Sequence, residues 1–127
     1  MVYTNLYFEE DGVGTNYLLI CVDNPIPGQN AESVTRRLEG YYTSTGQWDE
    51  VCDLEDSEMF AVCTNPSILS HLPNTWKTSD KTIYIANLDV YTSLLDWSKF
   101  RIHYVNNLGE RSVRSVEVVP DNWNIII

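Results

Sequence analysis

Positive charge is scarce in this sequence. Eight Lys and Arg stand against 18 Asp and Glu, leaving a net charge of −10 over 127 residues. Such a surplus excludes a broad binding face for nucleic acid or for an anionic membrane, both of which repel it. Long hydrophobic runs are missing too: the longest, residues 17–22, falls far short of the roughly 18 that a membrane-spanning helix needs. The opening segment, MVYTNLYFEEDG, holds neither a basic stretch nor an apolar core, so no signal peptide is expected. Cysteine is limited to Cys21, Cys52 and Cys63, an odd number with no CxxC pair, which argues against the disulfide framework of a small secreted domain. Cys21 and Cys63 sit in apolar runs, as reduced thiols of a core do. Histidine occurs only at His71 and His103. Zinc takes three or four ligands, and two separated histidines with unclustered cysteines make no such set, so no metal and no cofactor is expected. The absences together predict a soluble intracellular, cytoplasmic protein, or one of the host cytoplasm or the virion if its origin is viral.

What is present suits a single α+β domain over residues 1–127. The chain is 43% hydrophobic and 12% aromatic, enough to bury a core at this length. Residues 2–8 alternate, residues 9–16 carry two glycines, and residues 17–22 form an apolar run with the length of a buried strand; together they predict a hairpin. Residues 23–29 (DNPIPGQ) are a Pro/Gly loop, with Gly28 just ahead of a helix start where backbone N–H groups could hold an anion. Asn30 stands where an N-cap belongs, and Ala31, Val34, Leu38 and Tyr41 or Tyr42 recur at helical spacing, so a helix is predicted over residues 30–42. Strands are predicted next at 48–54 and 59–64 around an acidic turn, then a short helix at 67–72 opened by Pro66, and a strand at 82–88. Asp89 can cap a further helix in which Val90, Leu94 and Trp97 share a face. Residues 100–105 and 113–119, joined through Asn106, Asn107, Leu108 and Gly109, read as a C-terminal hairpin, with one more strand at 123–127. Between residues 17 and 88 the order β-α-β-β-α-β predicts a ferredoxin-like architecture: an antiparallel sheet with two or three short helices, flanked by N- and C-terminal β-hairpins.

Candidate chemistry is sparse. Asp49, Glu50, Asp53, Glu55, Asp56 and Glu58 crowd one segment, but no glycine there offers the sharp turn of a calcium loop. They read as a solvated face or as a docking surface for a basic partner. No GxSxG elbow or phosphate-binding glycine motif accompanies the histidines. Residues 1–60 hold twelve acids and only Arg36 and Arg37, whereas Lys99, Arg101, Arg111 and Arg114 lie on the C-terminal hairpin, so the charge is polarised along the chain. The stretch FRIHYVNNLGERSVRSVEVVP is faintly similar to the first hairpin of WYL-type small barrels, which serve regulatory sensing of ligands or nucleic acid; the Trp-Tyr-Leu triplet is absent and no residue role is carried over. Trp76 and Trp123 stand in polar contexts, as interface residues do, and the apolar residues 125–127 up to Ile127 suit an edge strand of the domain or, alternatively, burial against another subunit.

The expectation is therefore a non-catalytic protein-interaction protein, a subunit or accessory factor of a larger assembly such as a phage or viral particle. Its partner would be another protein or a second copy, with no membrane and no direct nucleic-acid binding. The alternative is an acidic inhibitor that imitates nucleic acid and blocks an enzyme that binds it. A small enzyme of unknown class is the third reading, and it requires His71, His103 or a cysteine to converge in a pocket.

Overall fold

The computed structural model describes residues 1–24 and 34–105 and the backbone of 116–118. Its strands are β1 (Val2–Glu10), β2 (Val13–Asp23), β3 (Thr35–Tyr42), β4 (Gln47–Asp53), β5 (Ala61–Val62), β6 (Lys81–Asn87), β7 (Lys99–Val105) and β8 (Val116–Val118). Helix is limited to α1 (Pro66–Leu69) and short 3-10 turns among the described residues. The ferredoxin-like α+β arrangement is thereby corrected. The strands form two antiparallel four-stranded sheets, ordered β1-β2-β6-β5 and β4-β3-β7-β8.

The β1–β2 hairpin turns on Asp11 and Gly12, both at positive φ (52° and 80°). That pair suits a two-residue hairpin loop whose backbone twist matches the strands it joins. The register then runs unbroken from Val2 opposite Cys21 to Glu10 opposite Val13. β2 is apolar from Tyr17 to Val22, and buried from Leu18 on, because both of its faces are covered there. Leu18, Ile20 and Val22 enter a core shared with Leu38, Phe100 and Ile102 of the second sheet. Leu19 and Cys21 enter another, shared with Leu6, Ile83, Cys63, Ile68 and Leu72, beneath the segment that carries α1. Asn65 caps α1 by accepting from the Ser67 N–H at 2.9 Å. The molecule is thus layered: second sheet, first sheet, then the helical segment.

The largest correction falls on residues 30–42. Asn30 to Ser33 lie outside the described residues, and the chain beyond them forms β3, not helix. β3 lies between β4 and β7, with Leu38 opposite Cys52 and Ile102. Its period-two pattern is hidden because the inward positions include Arg36 and Gly40 beside the single fully apolar Leu38, so the hydrophobic residues fall by chance at helical spacing. The strands at 48–54 and 59–64 do not pair with each other. The acidic turn between them carries the chain from one sheet to the other, where β5 shortens to two residues against β6. The helix after Asp89 is also corrected: Thr92–Asp96 is a 3-10 turn, with Leu94 buried and Val90 64% exposed. Strand β8 pairs with β7, while Gly28, the turn at 106–109, Arg111, Arg114 and the strand at 123–127 lie outside the described residues.

Candidate functional site

The acidic segment is less free than its sequence suggests. Arg36 is 7% exposed and directs its guanidinium across the open end of the sandwich. Its Nε and backbone N–H donate to the two Glu55 carboxylate oxygens, Nη1 donates to Asn24 Oδ1 at 2.9 Å, and Nη2 to the Tyr84 hydroxyl at 3.1 Å. Thr82 donates to the same Asn24 oxygen at 2.6 Å, so one arginine links both sheets and the turn after β4. On the opposite face of β3, Arg37 pairs with Asp53 at 2.9 Å and Glu50 at 3.4 Å. The hydrogen bond to Asp53 raises the Arg37 pKa further above its ordinary value. Glu50, Asp53 and Glu55 are therefore committed to arginines, while exposed Asp49, Asp56 and Glu58 have no such pairing among the described residues.

That outer face of the second sheet carries alternating charge in cross-strand rows. Glu39 is 4% exposed and accepts from Arg101 Nε at 2.7 Å, with His103 Nε2 at 2.9 Å from the same oxygen. Arg101 also lies over the Trp48 ring at 4.3 Å, and Lys99 over Tyr41 at 4.6 Å. Glu39 and Glu50 are direct cross-strand neighbours of like sign. Arg101 and Arg37, one beside each, relieve that repulsion.

The residues needed for an enzyme reading stand in different places. His71 is exposed at the end of the helical segment against Phe8, with ring centroids 6.0 Å apart, whereas His103 is on the outer face of the second sheet. Cys21 and Cys63 lie in the outer core layer and Cys52 on β4. Burial raises all three thiol pKa values, that of Cys52 to about 11. A thiol with that value is about one part in a thousand thiolate at pH 8, so reaction with a disulfide reagent is expected to be about 100-fold slower for Cys52 in the native protein than after unfolding. For Cys52 the raised folded-state value also means that stability is full below about pH 9 and is lost as pH climbs toward about 11. Urea midpoints should fall across that window, less steeply in Cys52→Ser.

Trp76 is half-buried and packs into the outer core, where its carbonyl accepts from the Cys21 thiol at 3.6 Å. Trp123 and Ile127 lie outside the described residues.

A different tryptophan, Trp97, stands at one end of the sandwich. The connection from β6 to β7 lays Trp97 against Gly40 so closely that a Cβ there would overlap the indole. Tyr42 meets the same indole edge-on at 5.8 Å, and Ser98 donates from its backbone to the Tyr41 carbonyl at 3.0 Å. Asp49, opposite Gly40 in the register, shares that side of the sheet. In the same β6–β7 connection as Trp97, Asp89 accepts from the Asn16 backbone N–H at 3.0 Å and from the Asn16 carboxamide at 3.2 Å. A cleft of about 550 Å³ is lined by Trp97, Leu95, Asp89, Asn5, Asn16 and Ser98, together with buried Leu88. Burial, then the carboxylates of Glu9 and Asp89, raises the Tyr7 phenol pKa, a sign of the negative field at this end. Sequence reasoning places Asp89 and Trp97 on a short helix and gives no weight to Asn5, Asn16 or Gly40. The one signal was Gly40 itself, an unexplained glycine in a pattern that otherwise asked for a side chain. Among the described residues no group of three His, Cys, Asp or Glu could hold a metal ion, and no helix is long and apolar enough to cross a membrane. No protein-family model, curated protein or solved structure matches this chain.

Proposed function

We propose that this protein is a non-catalytic protein-binding domain, a subunit or accessory factor of a larger assembly, and that it docks a basic partner protein at the end built around residues 88–98. One observation carries the reading: exposed apolar side chains and carboxylates meet there. Val90 and Leu95, 64% and 54% exposed, lie in the same connection as Trp97 and the exposed carboxylates of Asp89 and Asp96, and Tyr42, 39% exposed, meets the Trp97 ring. Apolar surface supplies affinity when it is covered, and the acids select a partner of opposite charge and speed its approach. Imitation of a nucleic-acid backbone has less support, because Glu50, Asp53 and Glu55 already face arginines of this chain.

A pull-down with wild type and a Val90→Ser/Leu95→Ser variant, both checked for native spectra, tests the reading. The expected result is a basic protein retained by wild type at low salt, released as salt rises and missing from the variant. Retention of the same proteins by both baits, or of an acidic protein, overturns it.

A further inference from the structure

The structure assigns the cleft at Trp97 as a receptor for a guanidinium group, and we infer that the basic partner inserts an arginine side chain there. The inference rests on the proposed docking function and specifies its central contact. Hydrogen-bond accounting leads to it. Asn5 Nδ2 donates to the Tyr17 carbonyl at 3.0 Å, Asn16 donates to Asp89 through both its backbone and its carboxamide, and the Ser98 hydroxyl donates to the Tyr41 carbonyl at 3.2 Å. Each polar side chain of the cleft except Asp89 thus already donates to an acceptor of this chain, which leaves the carboxamide oxygens, the Ser98 hydroxyl oxygen and Asp89 with accepting capacity to spare. Asn5 is only 6% exposed, yet its Oδ1 accepts no hydrogen bond among the described residues. Asn16, Ser98 and Asp89 line the same space. A cavity rich in acceptors calls for an occupant rich in donors.

The charge has the same implication. Glu39, Asp53 and Glu55 each face an arginine of this chain, whereas Asp89 is held only by amide groups, and no Lys, Arg or His lines the cleft among the described residues. A carboxylate positioned by neutral donors keeps its full charge for an incoming cation. Guanidinium fits better than ammonium. It presents five donors in a plane, can satisfy acceptors on several walls at once, and stacks on an indole, while the aliphatic stem behind it can lie along Leu95. An ammonium ion is a compact, strongly hydrated point charge and would leave Asn5 or Ser98 unsatisfied.

The test is a titration of the ¹⁵N-labelled protein with the peptide Gly-Arg-Gly, followed at the Trp97 indole and the Asn5 and Asn16 carboxamides. Parallel titrations use Gly-Lys-Gly, the neutral isostere Gly-citrulline-Gly, and maltose as a polyhydroxylated neutral ligand. Saturable shifts with the arginine peptide are expected, with binding at least about tenfold weaker for the lysine and citrulline peptides. Asp89→Asn, which keeps the shape of the side chain, should weaken the arginine peptide by at least about tenfold, whereas Asp56→Asn, at an exposed carboxylate outside the cleft, should leave it within about twofold. Equal binding of citrulline, saturation by maltose instead, or no saturable shift with arginine overturns the assignment. The two readings fail separately. A basic partner captured equally by wild type and Asp89→Asn retains the docking face and removes the arginine receptor. Arginine-peptide binding without any captured basic partner does the reverse.

Discussion

Replacing Arg36 with alanine is expected to lower the folding free energy by about 3 kcal/mol and the thermal midpoint by about 10 °C. Nothing in its sequence setting distinguishes Arg36 from Arg37, yet the side chains point to opposite faces of β3. Arg36 is 7% exposed and holds Glu55, Asn24 and Tyr84 at once. Alanine leaves the Tyr84 hydroxyl and Asn24 without their charged donor inside the sandwich, and unsatisfied buried groups cost more than the bond itself contributes. Glu55, about one-third exposed, can turn to water, which keeps the loss at the low end of the range for a broken buried pair. The Arg37 side chain is 26% exposed, and the Asp53 and Glu50 carboxylates it meets are more exposed still, so Arg37→Ala should cost less than about 1 kcal/mol. Urea unfolding of both variants at one pH checks the contrast. Equal losses for the two arginines would contradict the assignment of faces.

The same residue explains why part of the fold was hidden in the sequence. Where local signals were sufficient, they were legible: the glycine-bearing segment 9–16 holds the hairpin turn at Asp11 and Gly12, residues 17–22 show the apolar run of a strand covered on both sides, and Pro66 opens a short helix, which ends at Leu69 instead of running to residue 72. β3 failed because a buried, fully bonded arginine looks exposed to any reading of hydrophobic pattern, and a glycine beneath an indole looks like a break. Once β3 is misread as helix, the order becomes β-α-β-β-α-β, and two sheets collapse into one. The acidic strip suffered a similar loss of information. Six carboxylates in ten residues are visible in sequence, but the partners of Glu50, Asp53 and Glu55 are Arg37 and Arg36, which precede them on another strand.

The candidate site was less legible still, for a geometric reason. Asn5, Asn16, Asp89 and Trp97 come from β1, β2 and the β6–β7 connection, and only the pairing of β1 with β2 and of β2 with β6 brings the first three to one end. The roles that sequence assigns to them are local ones, a helix cap for Asp89 and a helix face for Trp97. Tertiary contacts displace both: Asp89 holds the β2 backbone at Asn16, and Trp97 lies against the second sheet.

Gly40→Val should therefore reveal more than its own cost. A Cβ at residue 40 overlaps the Trp97 indole, so a branched side chain must expel that ring, at about 3 kcal/mol, the upper part of the range for overpacking. On the β7 side the register is unbroken and Phe100, opposite Gly40, is fully buried, which limits the room to absorb the clash. If the close approach is the reason for the glycine, the penalty must depend on the indole. In a Trp97→Ala background the same Gly40→Val change should cost at least about 1 kcal/mol less, a coupling that urea unfolding of the four proteins measures directly. A penalty independent of Trp97 would place its origin in the backbone and remove Gly40 from the site. With the expected coupling, Gly40 becomes the residue that fixes where the aromatic wall of the cleft stands, and Gly40→Val should lose the Gly-Arg-Gly shifts even where the fold survives.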